Sequence, residues 1–179
     1  MCAARGKGIW ANSVIFTATA DGRIDLGARH VRCALGKGGL KPAADKREGD
    51  GASPMGVWPI RRVLWRPDKG PAPQTALETA AIAPDDGWCD APDDGAYNRP
   101  VKLPHPASAE TMWRDDDLYD LVVVLGHNDD PPVAGWGSCI FAHQAKPDYA
   151  PTEGCVALAR EDLLELLRLA KPGDAVAIT

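Results

Sequence analysis

A mainly β domain with one helix near its C-terminus is the fold this sequence predicts, on three observations. Glycine and proline number 18 and 16 in 179 residues, about a fifth of the chain against roughly 12% on average. Neither residue is tolerated in helix interiors, so the excess reads as many turns. The apolar segments are short, often alternating or β-branched, and bounded by turn residues. Only one segment repeats its apolar residues with helical spacing.

The elements follow in order. Val14, Phe16 and Ala18 alternate with Ile15, Thr17 and Thr19, and Asp21-Gly22 turns the chain into Arg23–Leu26. That pattern is a β-hairpin. His30–Leu35 reads as a further short strand. Gly36–Pro54 is a loop rich in Gly, Lys and Asp. Gly56–Trp65 suits a pair of strands. Thr75–Ile82 fits a strand or a short helix, and Asp85–Pro100 reads as a long loop. Ala107–Trp113 reads as one or two helical turns. Leu118–Leu125 carries three consecutive valines and is expected to be a central strand covered on both faces. Gly126–Gly137 is a loop and Ser138–Ala142 a buried strand. In Glu161–Ala170, Leu163, Leu166, Leu167 and Ala170 share one helix face. Glu161 and Asp162 favour its N-terminal dipole, and Lys171-Pro172-Gly173 ends it. Ala175–Ile178 forms the last strand.

The composition narrows the function. A net charge of −5 and a pI near 5.3 without a long basic run argue against a nucleic-acid partner. No apolar run approaches the roughly 20 residues of a membrane span. Arg5 and Lys7, followed by Ile9–Phe16 and Ala18-Thr19-Ala20, weakly imitate a secretory signal. Asn12 and Ser13 interrupt its apolar part, and the hairpin is the better reading. Nothing in the pattern fixes an oligomeric state.

The candidate chemistry centres on Cys155. Five cysteines cannot all pair within one chain. Cys155 follows a tight turn, Thr152-Glu153-Gly154, and a cysteine there leaves backbone N–H groups to face a substrate oxygen. His143, twelve residues upstream, is a candidate base for the thiol. A buried structural cysteine and an unrelated histidine would give the same pattern. Cys139, His143 and Cys155 nominally offer three zinc ligands, but no Cys-x-x-Cys pair supports them. The Asp doublets read as solvated turns. No metal site is expected, and the chemistry needs no cofactor.

Further motifs run along the chain: Lys46-Arg47-Glu48-Gly49-Asp50-Gly51-Ala52-Ser53-Pro54, Tyr97-Asn98-Arg99-Pro100, Leu118–Val124, His127-Asn128-Asp129-Asp130-Pro131, Gly137–His143 and Pro151–Leu158. In this order they resemble a bacterial branch of the L,D-transpeptidase catalytic-domain family, the YkuD type. The resemblance covers residues 13–179 as the catalytic domain and leaves 1–12 as an N-terminal extension.

That resemblance implies a β-sandwich of short mixed strands with a Cys-His site. Cys155 takes the place of the nucleophile and His143 that of the general base, oriented by a backbone carbonyl such as that of Gln144. The backbone N–H groups of Gly154 and Cys155 take the oxyanion role. The implied activity is transpeptidation of peptidoglycan stem peptides through a thioester, releasing a terminal D-amino acid. L,D-carboxypeptidase action on murein peptides and a non-catalytic cell-wall-binding module are the alternatives. Periplasm or cell envelope is the implied location, with the cytoplasm left open by the poor signal. From loop position, Arg99 is the expected partner of a substrate carboxylate and Asn128 of a stem amide. The sequence departs from the usual Ser/Thr-His-Gly-Cys by having Glu153 in place of the histidine. It also has Ala157 and Leu158 where Arg or Asn is common. Glu153 is expected to favour a substrate amine and to raise the thiol pKa by repulsion.

Overall fold

The computed structural model describes residues 13–179, so the N-terminal extension lies outside the described residues. The N-terminal hairpin forms from β1 (Ile15–Thr19) and β2 (Arg23–Asp25), paired antiparallel about the Asp21-Gly22 turn. Alternation buries Phe16 and Ala18 completely. Next come β3 (His30–Ala34), β4 (Leu40–Pro42) and a single 3-10 turn, Ala43–Asp45. The expected strand pair at Gly56–Trp65 is instead one strand of thirteen residues, β5 (Ser53–Trp65). It runs through Gly56 and Pro59 without a break. Its first part pairs with the C-terminal strand and its second part with the central strand.

The stretch between Thr75 and Trp113 settles one open expectation and corrects two. Thr75–Ile82 resolves as a short strand, β6 (Thr79–Ala81), parallel to β5. The long loop holds β7 (Asp86–Cys89), and the expected helical turns at Ala107–Trp113 are β9 (Ala109–Thr111). With β8 (Pro100–Lys102), these form a separate sheet in the order β8-β7-β9. Cross-strand pairing over distances of more than ten residues decides these segments, and local propensity does not report it.

The remaining elements are β10 (Leu121–Leu125), β11 (Phe141–Gln144), β12 (Val156–Leu158), α1 (Arg160–Leu169) and β13 (Ala175–Ile178). The expected strand Ser138–Ala142 thus starts three residues later. Strand order is β10-β11-β12-β3-β2-β1-β13-β5, and β5 also pairs with β10, closing the sheet into a barrel-like ring. The fold is therefore mainly β with one helix near the C-terminus.

β10 is buried along its whole length because a separate core lies on each of its faces. Leu121, Val123 and Leu125 join the main cluster with Phe16, Val63, Val156 and the helix residues Leu163, Leu166 and Leu167. Val122 and Val124 join a second cluster with Trp88, Met112, Tyr119, Phe141, Cys139 and Cys155. Trp88 and Met112 belong to the small sheet and its edge. The candidate thiol thus lies between the barrel wall and the small sheet. Among the described residues no helix is long and apolar enough to cross a membrane.

Candidate active site

In the parallel β11–β12 ladder, Ala142 faces Val156 and His143 faces Ala157. Cys155 therefore extends the ladder beside Phe141, and side chains two residues apart share a face. His143 and Cys155 accordingly lie on the same side of the sheet, above Val122 and Val124. Both are buried, at 6% and 7% exposure, and both line one cavity of about 410 Å³.

The turn before the thiol is held by Thr152. Its Oγ1 accepts the Gly154 N–H at 3.1 Å and donates to the Cys155 carbonyl at 2.7 Å. The Gly154 N–H is thus already engaged in this geometry. Gly154 has φ +137°, and a Cβ there would meet the Ala52 carbonyl oxygen at 2.8 Å. Only glycine fits this close approach. Ser53 Oγ donates to the Gly154 carbonyl at 2.8 Å and accepts the Gly36 N–H at 2.9 Å, which ties the turn to the loop after β3.

The Cys155 thiol donates to the Cys139 carbonyl at 3.1 Å and receives the Phe141 N–H at 3.5 Å. Burial, helped by the charge of Glu110, pushes the thiol up to about 12. Glu153 is not the source of this shift, contrary to expectation. Its side chain is 72% exposed and pairs with Lys37 at 2.7 Å. Water and the lysine screen it from the sulfur.

His143 is set up as a neutral acceptor. Its Nδ1 lies 2.7 Å from the Gln144 carbonyl oxygen. A carbonyl can only accept, so Nδ1 carries the proton and Nε2 bears a lone pair. Burial pushes the imidazole down to about 4, against the smaller pull of that hydrogen bond. Gln144 is fixed in turn by its own amide, which donates to the Asp117 carbonyl at 2.7 Å.

These shifts carry an expected pH dependence of stability. Between about pH 6.5 and pH 4 the unfolded chain protonates this histidine while the folded chain does not. The unfolded state then binds more protons, so stability falls as pH falls through that window. The contribution is roughly 3 kcal/mol for a shift of this size. Urea denaturation at pH 7 and pH 4.5 should show a smaller loss of stability for His143→Gln than for the wild-type chain.

The separated motifs converge on the same place. Glu48 accepts the Tyr97 hydroxyl at 2.5 Å and the Ser138 hydroxyl at 2.7 Å, and Tyr97 Oη accepts the Gly137 N–H at 3.0 Å. Asn98 uses both ends of its amide. Its Oδ1 accepts from Trp88 Nε1 at 3.0 Å and the Cys139 N–H at 3.1 Å. Its Nδ2 donates to the His127 and Asn128 carbonyls at 3.1 and 2.8 Å. One loop is thereby tied to the small sheet and to the segment that carries the thiol's hydrogen-bond acceptor.

A family model described as the L,D-transpeptidase catalytic domain (YkuD) matches residues 11–178. The chain belongs to this family. No curated protein and no solved structure matches it.

Within this L,D-transpeptidase domain, four sequence-selected residues line the Cys155 cavity or build its rim: Cys155, His143, Glu153 and, through the turn, Gly154. Arg99 does not join them. It is exposed and lines a second cavity of about 390 Å³ with Arg61, Arg62 and Asp129. The two cavities share no lining residue. The Asn128 side chain is also engaged elsewhere. Its amide donates to the Val133 and Gly137 carbonyls at 3.0 and 2.9 Å and its oxygen accepts the Val133 N–H at 2.8 Å.

Sequence reasoning missed other residues of the cavity. Tyr119 donates to Glu110 at 2.6 Å and packs edge-on against the His143 ring at 5.4 Å. Burial pushes the Glu110 carboxyl upward, and the hydrogen bond from Tyr119 opposes that shift. Arg114, Lys146 and Asp90 line the cavity with it. Asp90, Glu110 and Arg114 come from the small sheet and its edges, so no local sequence signal placed them beside Cys155.

Proposed function

We propose that this domain is a cysteine-dependent L,D-transpeptidase acting on peptidoglycan stem peptides in the cell envelope. The single observation that carries the reading is a thiol and a neutral, carbonyl-oriented imidazole on one sheet face of one cavity.

The proposed cycle starts as a substrate enters and the Cys155 thiol leaves the Cys139 carbonyl. The sulfur gives its proton to His143 Nε2 and attacks the carbonyl carbon between the diamino acid and the terminal D-amino acid. Backbone N–H groups at the Gly154-Cys155 turn hold the oxyanion. Gly154 takes part once its bond to Thr152 Oγ1 opens. The C–N bond then breaks, and His143 returns the proton to the departing amine. An acceptor amine attacks the thioester, passes its proton to His143, and displaces the sulfur, which is reprotonated. Where water takes the amine's place, the product is that of a carboxypeptidase.

For a substrate carboxylate, Arg114 and Lys146 fit better than the expected Arg99, because they line the cavity of the thiol. Glu153, exposed at the rim and paired with Lys37, is the group proposed to meet an incoming amine.

The test uses a free tetrapeptide with and without an acceptor amine, with products identified by mass. A cross-linked product and released D-amino acid are expected, and both should vanish in Cys155→Ala. Hydrolysed tripeptide alone, with the acceptor present, would favour the carboxypeptidase reading. Turnover by Cys155→Ala would contradict both.

A further inference from the structure

We propose that Cys89, Asp94 and His105 form a metal site for a zinc-type divalent cation, clamping the small sheet that covers the Cys155 cavity. Cys89 ends β7, Asp94 lies in the following turn, and His105 lies beyond β8. Their sulfur, carboxylate oxygen and ring nitrogen all lie within 4.8 Å of one another. Among the described residues no other three such side chains approach as closely.

The Asp94–His105 separation is compatible with two ligands of one ion. His105 Nε2 lies 3.4 Å from Asp94 Oδ2. That is longer than an ordinary N–H···O bond, about 2.7–3.2 Å. His105 Nε2 is buried and has no hydrogen-bond partner, which is uncommon for a buried polar atom. Two ligands on a tetrahedral zinc at about 2.0–2.3 Å stand roughly 3.3–3.6 Å apart. The observed separation suits that edge. Asp94 is already held, since its Oδ1 accepts the Ala96 N–H at 2.7 Å, leaving Oδ2 for the ion. Such support of a ligating carboxylate is usual around metals.

The donor set selects the ion. One thiolate, one imidazole and one carboxylate suit zinc better than calcium or magnesium, which prefer all-oxygen sites. Three protein ligands leave a fourth position for water. Asp94 and His105 are 23% and 16% exposed in their side chains, which gives the ion a route in. Metal binding would displace the thiol proton to solvent. The site is separate from Cys155 and His143, and its role is structural. It would fix the turn that carries Tyr97 and Asn98.

The test measures zinc binding by the full chain, stripped with chelator and titrated in competition with a chromophoric chelator. One zinc per chain is expected, with affinity lowered about 100-fold or more in Cys89→Ser and His105→Asn. Cys155→Ser should bind as the unaltered chain does. Cobalt should give a thiolate charge-transfer band that disappears in Cys89→Ser. Far-UV circular dichroism checks that the variants fold, and His105→Asn, partly exposed, keeps the test decisive if Cys89→Ser does not. Absence of zinc binding at micromolar concentrations would overturn the proposal. So would binding that survives both substitutions, or that is lost in Cys155→Ser.

Discussion

Replacing His143 with alanine is expected to slow acylation of Cys155 by about 10²–10⁴-fold at pH 7, the range for a general base. The reason lies in the thiol's surroundings. With burial and Glu110 pushing the thiol up to about 12, only about 10⁻⁵ of it is thiolate at neutral pH. The pair cannot depend on a preformed thiolate, and the proton has to leave during attack. His143 is neutral, its Nδ1 is held by the Gln144 carbonyl, and its other nitrogen is bare. Without it, the reaction falls back on the scarce thiolate. The pH profile then separates a base from a merely structural residue. The unaltered chain should be nearly flat between pH 6 and 9, whereas His143→Ala should gain about tenfold per pH unit. Stopped-flow acylation across that range reads both slopes. A variant within threefold of the parent at pH 7 would remove His143 from the chemistry.

The largest expected effect on stability comes from Asn98→Ala, a loss of about 3–5 kcal/mol. Asn98 is 4% exposed and makes four hydrogen bonds, two in each direction. Truncation leaves the buried Trp88 indole N–H and the Cys139 N–H without an acceptor, each costing about 1–3 kcal/mol. Asn98 also sits at φ +55°. Alanine tolerates that left-handed region less well than asparagine, by about 1 kcal/mol. Urea denaturation at pH 7 measures the sum. A loss below 1 kcal/mol would mean that the loop, the small sheet and the Cys139 segment are not joined through this side chain.

What the sequence made legible follows from where the information is local. β10 was readable because a strand buried on both faces must be apolar throughout, and Leu121–Leu125 is. The helix was readable from Leu163, Leu166 and Leu167 on one face, within one residue of its observed limits. The small sheet was not. Asp86–Cys89, Pro100–Lys102 and Ala109–Thr111 are short and contain Gly, Pro or charged residues. Their strand character exists only because they pair with one another. The pair of strands expected at Gly56–Trp65 is one continuous strand, whose first part stays in register with β13 from Gly56 to Pro59.

The same division holds for the site. Cys155, Gly154 and Thr152 lie in one turn, so their relation is visible in a short motif. Loop position alone points to Arg99 and Asn128, and loop position does not say which cavity a side chain lines. Arg99 sits next to Asn98, yet Asn98 is buried and accepts the Cys139 N–H while Arg99 is exposed, away from the Cys155 cavity. The influence expected of Glu153 rests on adjacency to the thiol. Adjacency in sequence overlooks Lys37, which pairs with it, and Glu110, 45 residues from the thiol in sequence, which acts in its place.

The measurement that bears most directly on Cys155 as the nucleophile is intact-protein and peptide mass spectrometry after incubation with a carbapenem at neutral pH. One adduct, mapped to Cys155 and absent from Cys155→Ala, is the expected result. No adduct, or an adduct on Cys33, Cys89 or Cys139 with Cys155 unmodified, would contradict it.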